Sequence, residues 1–305
     1  MRDNFLNSLT KLAESDKEIV LLTGDLGFGV FEKFEKNFPG QYFNVGVAEQ
    51  NMIGLATGLA LEGKKVVTYS IGNFGTLRCL EQIRNDACYH DLNITIVANG
   101  GGFSYGSLGM SHHTTEDLSI MRALPNISVL APCTERDASE ATTAMIVNGG
   151  VGYLRLDKDS AKDCLSNEPF VIGKSRRYKE GKDLTLIATG GILSEASIAC
   201  EELKKLGIEV RLVGIHSIKP IDVDEIKDSV QNTGGIVTIE EHNKDGGLGS
   251  AVSEVCMDLK MIPKKFLRIG LDNKFSSIVG SQQYLRSRYE IDSKTIIKRA
   301  LDLIK

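Results

Sequence analysis

The chain has 305 residues, 42% hydrophobic and 25% charged, and a formal net charge of -4. That length accommodates two domains with cores of their own. The slightly acidic balance argues against a general nucleic-acid surface, and no apolar run is long enough to cross a bilayer as a helix.

From Met1 onward, Phe5, Leu6, Leu9 and Leu12 line one side of an amphipathic helix, which does not read as a signal peptide. Residues 18–22 form a short apolar run ending in Thr23-Gly24-Asp25, a buried strand and its turn. A helix is expected over 30–38 and a strand over 65–70. A loop over 71–75 (Ile-Gly-Asn-Phe-Gly) and a helix over 77–87 come next. The strand 93–98 empties into a Gly-rich loop over 100–109. A helix near 116–122, a strand over 127–131, a helix over 135–147 and a strand over 153–156 close the first domain.

The stretch 157–182 is polar and without period, and holds the basic cluster 174–179, so the linker is placed at 161–181. The predicted domains are 1–160 and 182–305. In the second, strands are expected over 184–188, 209–213 and 235–239, with helices over 193–206 and 249–259. Strands alternating with helices predict an α/β fold of two doubly wound domains with mainly parallel sheets. Ligands of such sheets sit beyond the carboxyl ends of the strands, where Asp25, Phe74, His112 and Arg155 all fall. The six cysteines (79, 88, 133, 164, 200, 256) form no CxxC pair and read as buried thiols of a reducing, cytoplasmic compartment.

The most informative stretch is 45–60. It opens a small-residue helix whose single formal charge is Glu49, at the helix mouth. So apolar a helix belongs in an interior or an interface, and Gly54 and Gly58, one turn apart, let another backbone come close. A carboxylate there needs a specific donor. Gly46-Val47-Ala48-Glu49-Gln50-Asn51-Met52-Ile53-Gly54 closely resembles the pyrimidine-domain motif of transketolase-like thiamine diphosphate enzymes. The resemblance extends over essentially the whole chain, and the second domain resembles the transketolase C-terminal domain. It implies that Glu49 bonds to N1′ of the aminopyrimidine ring and so activates C2 of the thiazolium.

The same resemblance implies other roles. Phe74 would stack on the aminopyrimidine, and Asp25 would lie at the cofactor-facing subunit contact. The segment 111–118 is similar to the Thr-His-Gln segment of transketolases. There His112 would touch the donor sugar and move a proton, with His113 as the alternative. No third ligand has suitable spacing for a metal site around this histidine pair. Arg155 would grip the anionic end of the sugar, and Arg78 is a second candidate for an anion. His216 and His242 belong to no motif and read as structural.

Two departures limit the match. Leu108 stands where transketolases carry an acidic residue, which leaves the sugar open. Gly24-Asp25-Leu26 is not the Gly-Asp-Gly motif that holds Mg²⁺ and the diphosphate, and no other segment supplies it. The expectation is therefore the second subunit of a split transketolase. A separate chain would carry the diphosphate domain and Mg²⁺ in an α2β2 heterotetramer without nucleic acid or membrane. The alternatives are an activity like that of 1-deoxyxylulose-5-phosphate synthase, a 2-oxoacid-dehydrogenase β-like subunit, or a non-catalytic assembly subunit.

Overall fold

A computed structural model of the chain describes residues 1–162, 164–166 and 168–305. Asp163 and Asn167, inside the stretch expected to be linker, lie outside the described residues. Twelve strands are present among them: β1 (Ile19–Thr23), β2 (Tyr42–Asn44), β3 (Lys65–Ile71), β4 (Ile94–Asn99), β5 (Ile127–Leu130), β6 (Val151–Leu156), β7 (Arg176–Lys179), β8 (Leu184–Ala188), β9 (Val210–Gly214), β10 (Ser217–Lys219), β11 (Ile236–Asn243) and β12 (Phe266–Leu271). They form two sheets, in the orders β10-β5-β6-β4-β3-β1-β2 and β12-β11-β8-β9-β7. All pairings are parallel except those of β10 with β5 and of β7 with β9. This is the expected α/β architecture with mainly parallel sheets.

The strands that carry the sheets are buried along their whole length. Every residue of β1, β6, β8, β9 and β11 is inside, as parallel strands covered by helices on both faces require. The first sheet is covered on one side by the helix Arg2–Ser15, whose Phe5, Leu9 and Ala13 are buried together with Ile19 and Leu21. On its other side, Met52, Ile53 and Ala56 of the helix Glu49–Leu61 join a core that reaches Ile236 and Val252 of the second half. The two halves of the chain therefore share apolar packing. All six cysteines are buried, and no described helix is long and apolar enough to cross a membrane.

Three elements differ from the sequence-based expectation. The basic cluster contains a strand, β7, which edges the second sheet. The loop 71–75 is a short helix, Gly72–Thr76, and the helix expected over 77–87 breaks into a 3-10 turn, a short α segment and a π-helical turn, Ile83–Cys88. The three-residue strand β10 leaves the second half of the chain to finish the edge of the first sheet.

β7 is held to the first half by charge. Asp137 is fully buried, caps the helix Glu135–Asn148 through a reciprocal bond with Thr134, and pairs with the buried guanidinium of Arg176. Arg176 also reaches Glu140 at 2.6 Å. Removing one partner of a buried pair strands the other. Asp137→Ala is expected to lower the unfolding free energy by about 3 kcal/mol or more. Urea titration checks this, and a loss under about 1 kcal/mol, the range of exposed pairs, would contradict it.

Candidate active site

Glu49 is the first residue of its helix and is 2% exposed. Two loops at the carboxyl ends of β1 and β2 set its place. Asn44 links them: its side-chain amide donates to Asp25 at 3.0 Å, and its carbonyl oxygen accepts from the backbone N–H of Asp25 at 2.9 Å and of Gly46 at 3.0 Å. Asp25 adopts a left-handed φ of 57°, which Asp tolerates better than most residues. A Cβ at Gly24 would lie 3.9 Å from the Glu49 side chain, so the turn after β1 runs close to the carboxylate.

The sequence shows no charge beside Glu49, but the fold supplies one. Arg78 Nη1 donates to Glu49 Oε2 at 2.9 Å. The same guanidinium lies 4.7 Å from the centre of the Phe74 ring, within cation–π range. Arg78 is half exposed while its partner is enclosed. Cys79, next in the chain, is inert: burial, reinforced by the negative charge of Glu49, pushes its thiol up to about 12.

Beside this pair lies a cleft of about 440 Å³ whose walls include Asn73, Phe74, Arg78, His113, Glu116 and Phe275. Asn73 joins the two walls, its amide donating to the carbonyls of Ser111 at 3.3 Å and His113 at 2.5 Å. Gly72 has no room for a Cβ, which would collide with Thr114, so the two loops can approach only with glycine there.

The histidines occupy different environments. His112 is half-buried, edge-on to Phe74 with ring centres 5.1 Å apart, and its Nδ1 lies 3.0 Å from the Ser111 hydroxyl. His113 is buried, with Nε2 3.1 Å from the Gly106 carbonyl and its ring against Phe103. His113 lines the cleft, whereas His112 packs on the edge of the Phe74 ring.

Arg155 is not where the sequence placed it. Its side chain is 1% exposed, with Nε 3.3 Å from Asp157 and 3.5 Å from Asp117. One Nη donates to the backbone carbonyls of Glu241 at 3.0 Å and Thr114 at 3.3 Å. Burial opposes its charge, but the two carboxylates outweigh that and raise its pKa. A guanidinium so enclosed has no path to a sugar, and the anion-binding role expected of it is withdrawn. His242 is fully buried beside Asp117, and burial lowers its pKa.

Sequence reasoning missed Asn73, Glu116 and Phe275. Asn73 sits inside the inspected loop 71–75 and could have been questioned as a polar residue at a strand end. Glu116 and Phe275 carry no local signal. Among the described residues, no group of three or more His, Cys, Asp or Glu is arranged to hold a metal ion.

Comparison with known proteins gives this geometry a family. The profile of the transketolase pyrimidine-binding domain matches residues 1–162, and that of the transketolase C-terminal domain matches residues 173–296. The chain belongs to the transketolase family. One of the two subunits of the apulose-4-phosphate transketolase of Phocaeicola vulgatus is 34% identical, over 100% of this chain and 97% of that protein. A subunit of the 6-deoxy-6-sulfo-D-fructose transketolase of a Clostridium species is also 34% identical, over 98% of this chain and 93% of that protein. A solved split-gene transketolase, described as an inactive β4 tetramer, superposes with a TM-score of 0.90 at 33% identity, covering 99% of this chain and 97% of that one. Within this transketolase-family chain, the resemblance expected from the Glu49 stretch holds from end to end.

The buried position of Arg155 has a direct consequence. Arg155→Met would leave Asp117 and Asp157 without their countercharge inside the protein. The expected result is a loss of about 3–5 kcal/mol in unfolding free energy. Chemical denaturation of the chain checks it; a loss below about 1 kcal/mol would mean that the guanidinium faces solvent.

Proposed function

We propose that this chain is the second subunit of a two-chain, thiamine-diphosphate-dependent transketolase that moves a two-carbon ketol unit from a ketose to an aldose. The observation that carries this reading is the enclosed Glu49 carboxylate beside the Phe74 ring, at the edge of a cleft. Thiamine diphosphate, when bound, supplies the nucleophilic carbon that no side chain here provides. The residues present fit its aminopyrimidine end: a buried carboxylate for a ring nitrogen, a flat aromatic face beside it, and a glycine backbone close by.

In this reading Glu49 holds a proton at N1′, and Phe74 supports the ring. Asp25 braces the loop after β1 against the start of the Glu49 helix, through Asn44. His112, with Nδ1 against Ser111, keeps Nε2 for an oxygen of the sugar that gains charge during transfer. His113 is tied to Gly106 and forms part of the wall. A separate N-terminal subunit would bring the diphosphate-binding residues and most of the Mg²⁺ ligands.

An α2β2 heterotetramer suits the outer face of the Glu49–Leu61 helix. No atom of this chain lies within 4 Å of a Cβ built at Gly54 or Gly58, and Leu55 and Leu61 are exposed. Both relatives named above carry substrates with a phosphate or sulfonate in their names, which supports an anionic sugar, and a cytoplasmic place in carbohydrate metabolism fits such a substrate.

With Arg155 enclosed, Arg78 is the cation left at the cleft for that anion. In the unloaded chain, however, its guanidinium already makes the two contacts assigned to the aminopyrimidine, a bond to Glu49 and a face on Phe74. Cofactor entry therefore displaces Arg78 and frees it for substrate.

Calorimetric titration of thiamine diphosphate and Mg²⁺ tests both claims. The chain alone should show no micromolar binding, and the chain with its partner subunit should. Arg78→Gln in the pair should tighten cofactor binding about fivefold, the equivalent of an ion pair worth about 1 kcal/mol. Micromolar binding by the chain alone, or weaker binding by Arg78→Gln, would contradict the respective claim.

A further inference from the structure

The loop over residues 103–113 carries both histidines and Ser111, and the second half of the chain holds its neck. Gly102 and Thr114 close that neck with two backbone bonds, 2.7 Å from Gly102 N–H to the Thr114 carbonyl and 2.9 Å in return. Below it lies the side chain of Glu241, from β11 of the second sheet, 2% exposed. Glu241 Oε1 accepts the backbone N–H of Phe103 at 2.5 Å and the Gln282 amide at 2.9 Å. Its Oε2 accepts Arg286 Nε at 2.5 Å, and Arg286 is anchored in turn to Asp159 at 2.6 Å. A Cβ at Gly102 would meet the Glu241 carboxylate, so neck and carboxylate are fitted to each other. Two further bonds run the same way: Asn243 N–H to the Thr115 carbonyl at 2.8 Å and Gly280 N–H to the Gly106 carbonyl at 3.2 Å.

We propose that Glu241 is a positioning residue for the transfer reaction, setting where the 103–113 loop places His112 relative to Phe74. The inference rests on the reading of Phe74 and His112 given above. It assigns the second half of the chain a part in catalysis although none of its residues reaches Glu49. The chemistry is one of matched donors. Glu241 offers two acceptor oxygens to three donors, and both must be acceptors. Glutamine keeps the volume but turns an NH₂ toward either Phe103 N–H or Arg286, and it removes the charge that Arg286 faces. The neck should then loosen, while the Glu49–Phe74 side of the cleft is unaffected. Small misplacement of a reacting group can reduce turnover by about a hundredfold.

The test uses the complex of this chain with its partner subunit. Three variants are compared with wild type. These are Glu241→Gln, the milder Gln282→Leu, and Ile296→Ala, which opens a cavity in the second core away from the loop. Four readouts are taken: kcat, KM, thiamine diphosphate affinity, and hydrogen exchange over residues 103–116. Glu241→Gln should lower kcat about 10- to 100-fold, leave cofactor affinity within about threefold, and speed exchange over the loop. Gln282→Leu should do the same to a smaller extent. Ile296→Ala should lower the melting temperature while turnover per folded complex and loop exchange stay at wild-type values. Wild-type kcat in Glu241→Gln, or an equal fall in Ile296→Ala, would overturn the proposal. A wild-type complex that neither binds thiamine diphosphate nor transfers a ketol unit would instead overturn the functional reading.

Discussion

Much of this molecule depends on one constraint: a carboxylate, Glu49, held almost without solvent at the start of an apolar helix. Isolated charge in such a place is strongly unfavourable and must be matched by a partner. The partner is Arg78, 29 residues along the chain. The pairing is one-sided, because the arginine remains half in solvent while the glutamate does not. An ion pair of this kind can be exchanged: the exposed cation can leave when another donor arrives, whereas the enclosed acceptor stays. A group that must keep its acceptor ready for an incoming ring, without itself being solvated, is well served by that arrangement.

A second set of buried charges fixes the opposite wall. Arg155, Asp117, Asp157, Glu241 and Arg286 are nearly all enclosed and come from both sheets. They are hydrogen-bonded to backbone groups as well as to each other, which is the condition under which buried charge is tolerated. Glu240, next to Glu241, accepts two backbone N–H groups from the start of the helix Leu248–Asp258, yet burial still raises its pKa to about 7. The apolar core crosses between the halves in the same region, so neither wall of the cleft is free to move independently of the second sheet.

The sheet architecture was legible because parallel strands covered on both faces appear as short apolar runs. Residues 18–22, 93–98 and 184–188 each announced a strand in that way. Glu49, Phe74 and His112 were legible because they lie in compact local motifs. Arg155 was misread for a physical reason: β6 is enclosed on both faces, so a place near its carboxyl end does not turn a side chain into the cleft. β7 was missed because its arginines look like solvated linker until Asp137, Glu140, Glu225 and Asp228 are brought against them by the fold. The Glu49–Arg78 pair and the bond from Phe103 to Glu241 join residues far apart in the chain, and no local pattern encodes them.

The claim on which the functional account rests is that Glu49 activates the cofactor rather than merely holding it. The most direct measurement is hydrogen–deuterium exchange at C2 of thiamine diphosphate bound to the two-chain complex, compared between wild type and Glu49→Gln at equal cofactor occupancy. Glutamine retains the shape and one hydrogen bond but cannot share the proton. The account predicts exchange slower by about 10²–10⁴-fold in Glu49→Gln, the usual range for loss of a general acid–base group. Equal exchange in the two complexes would contradict it.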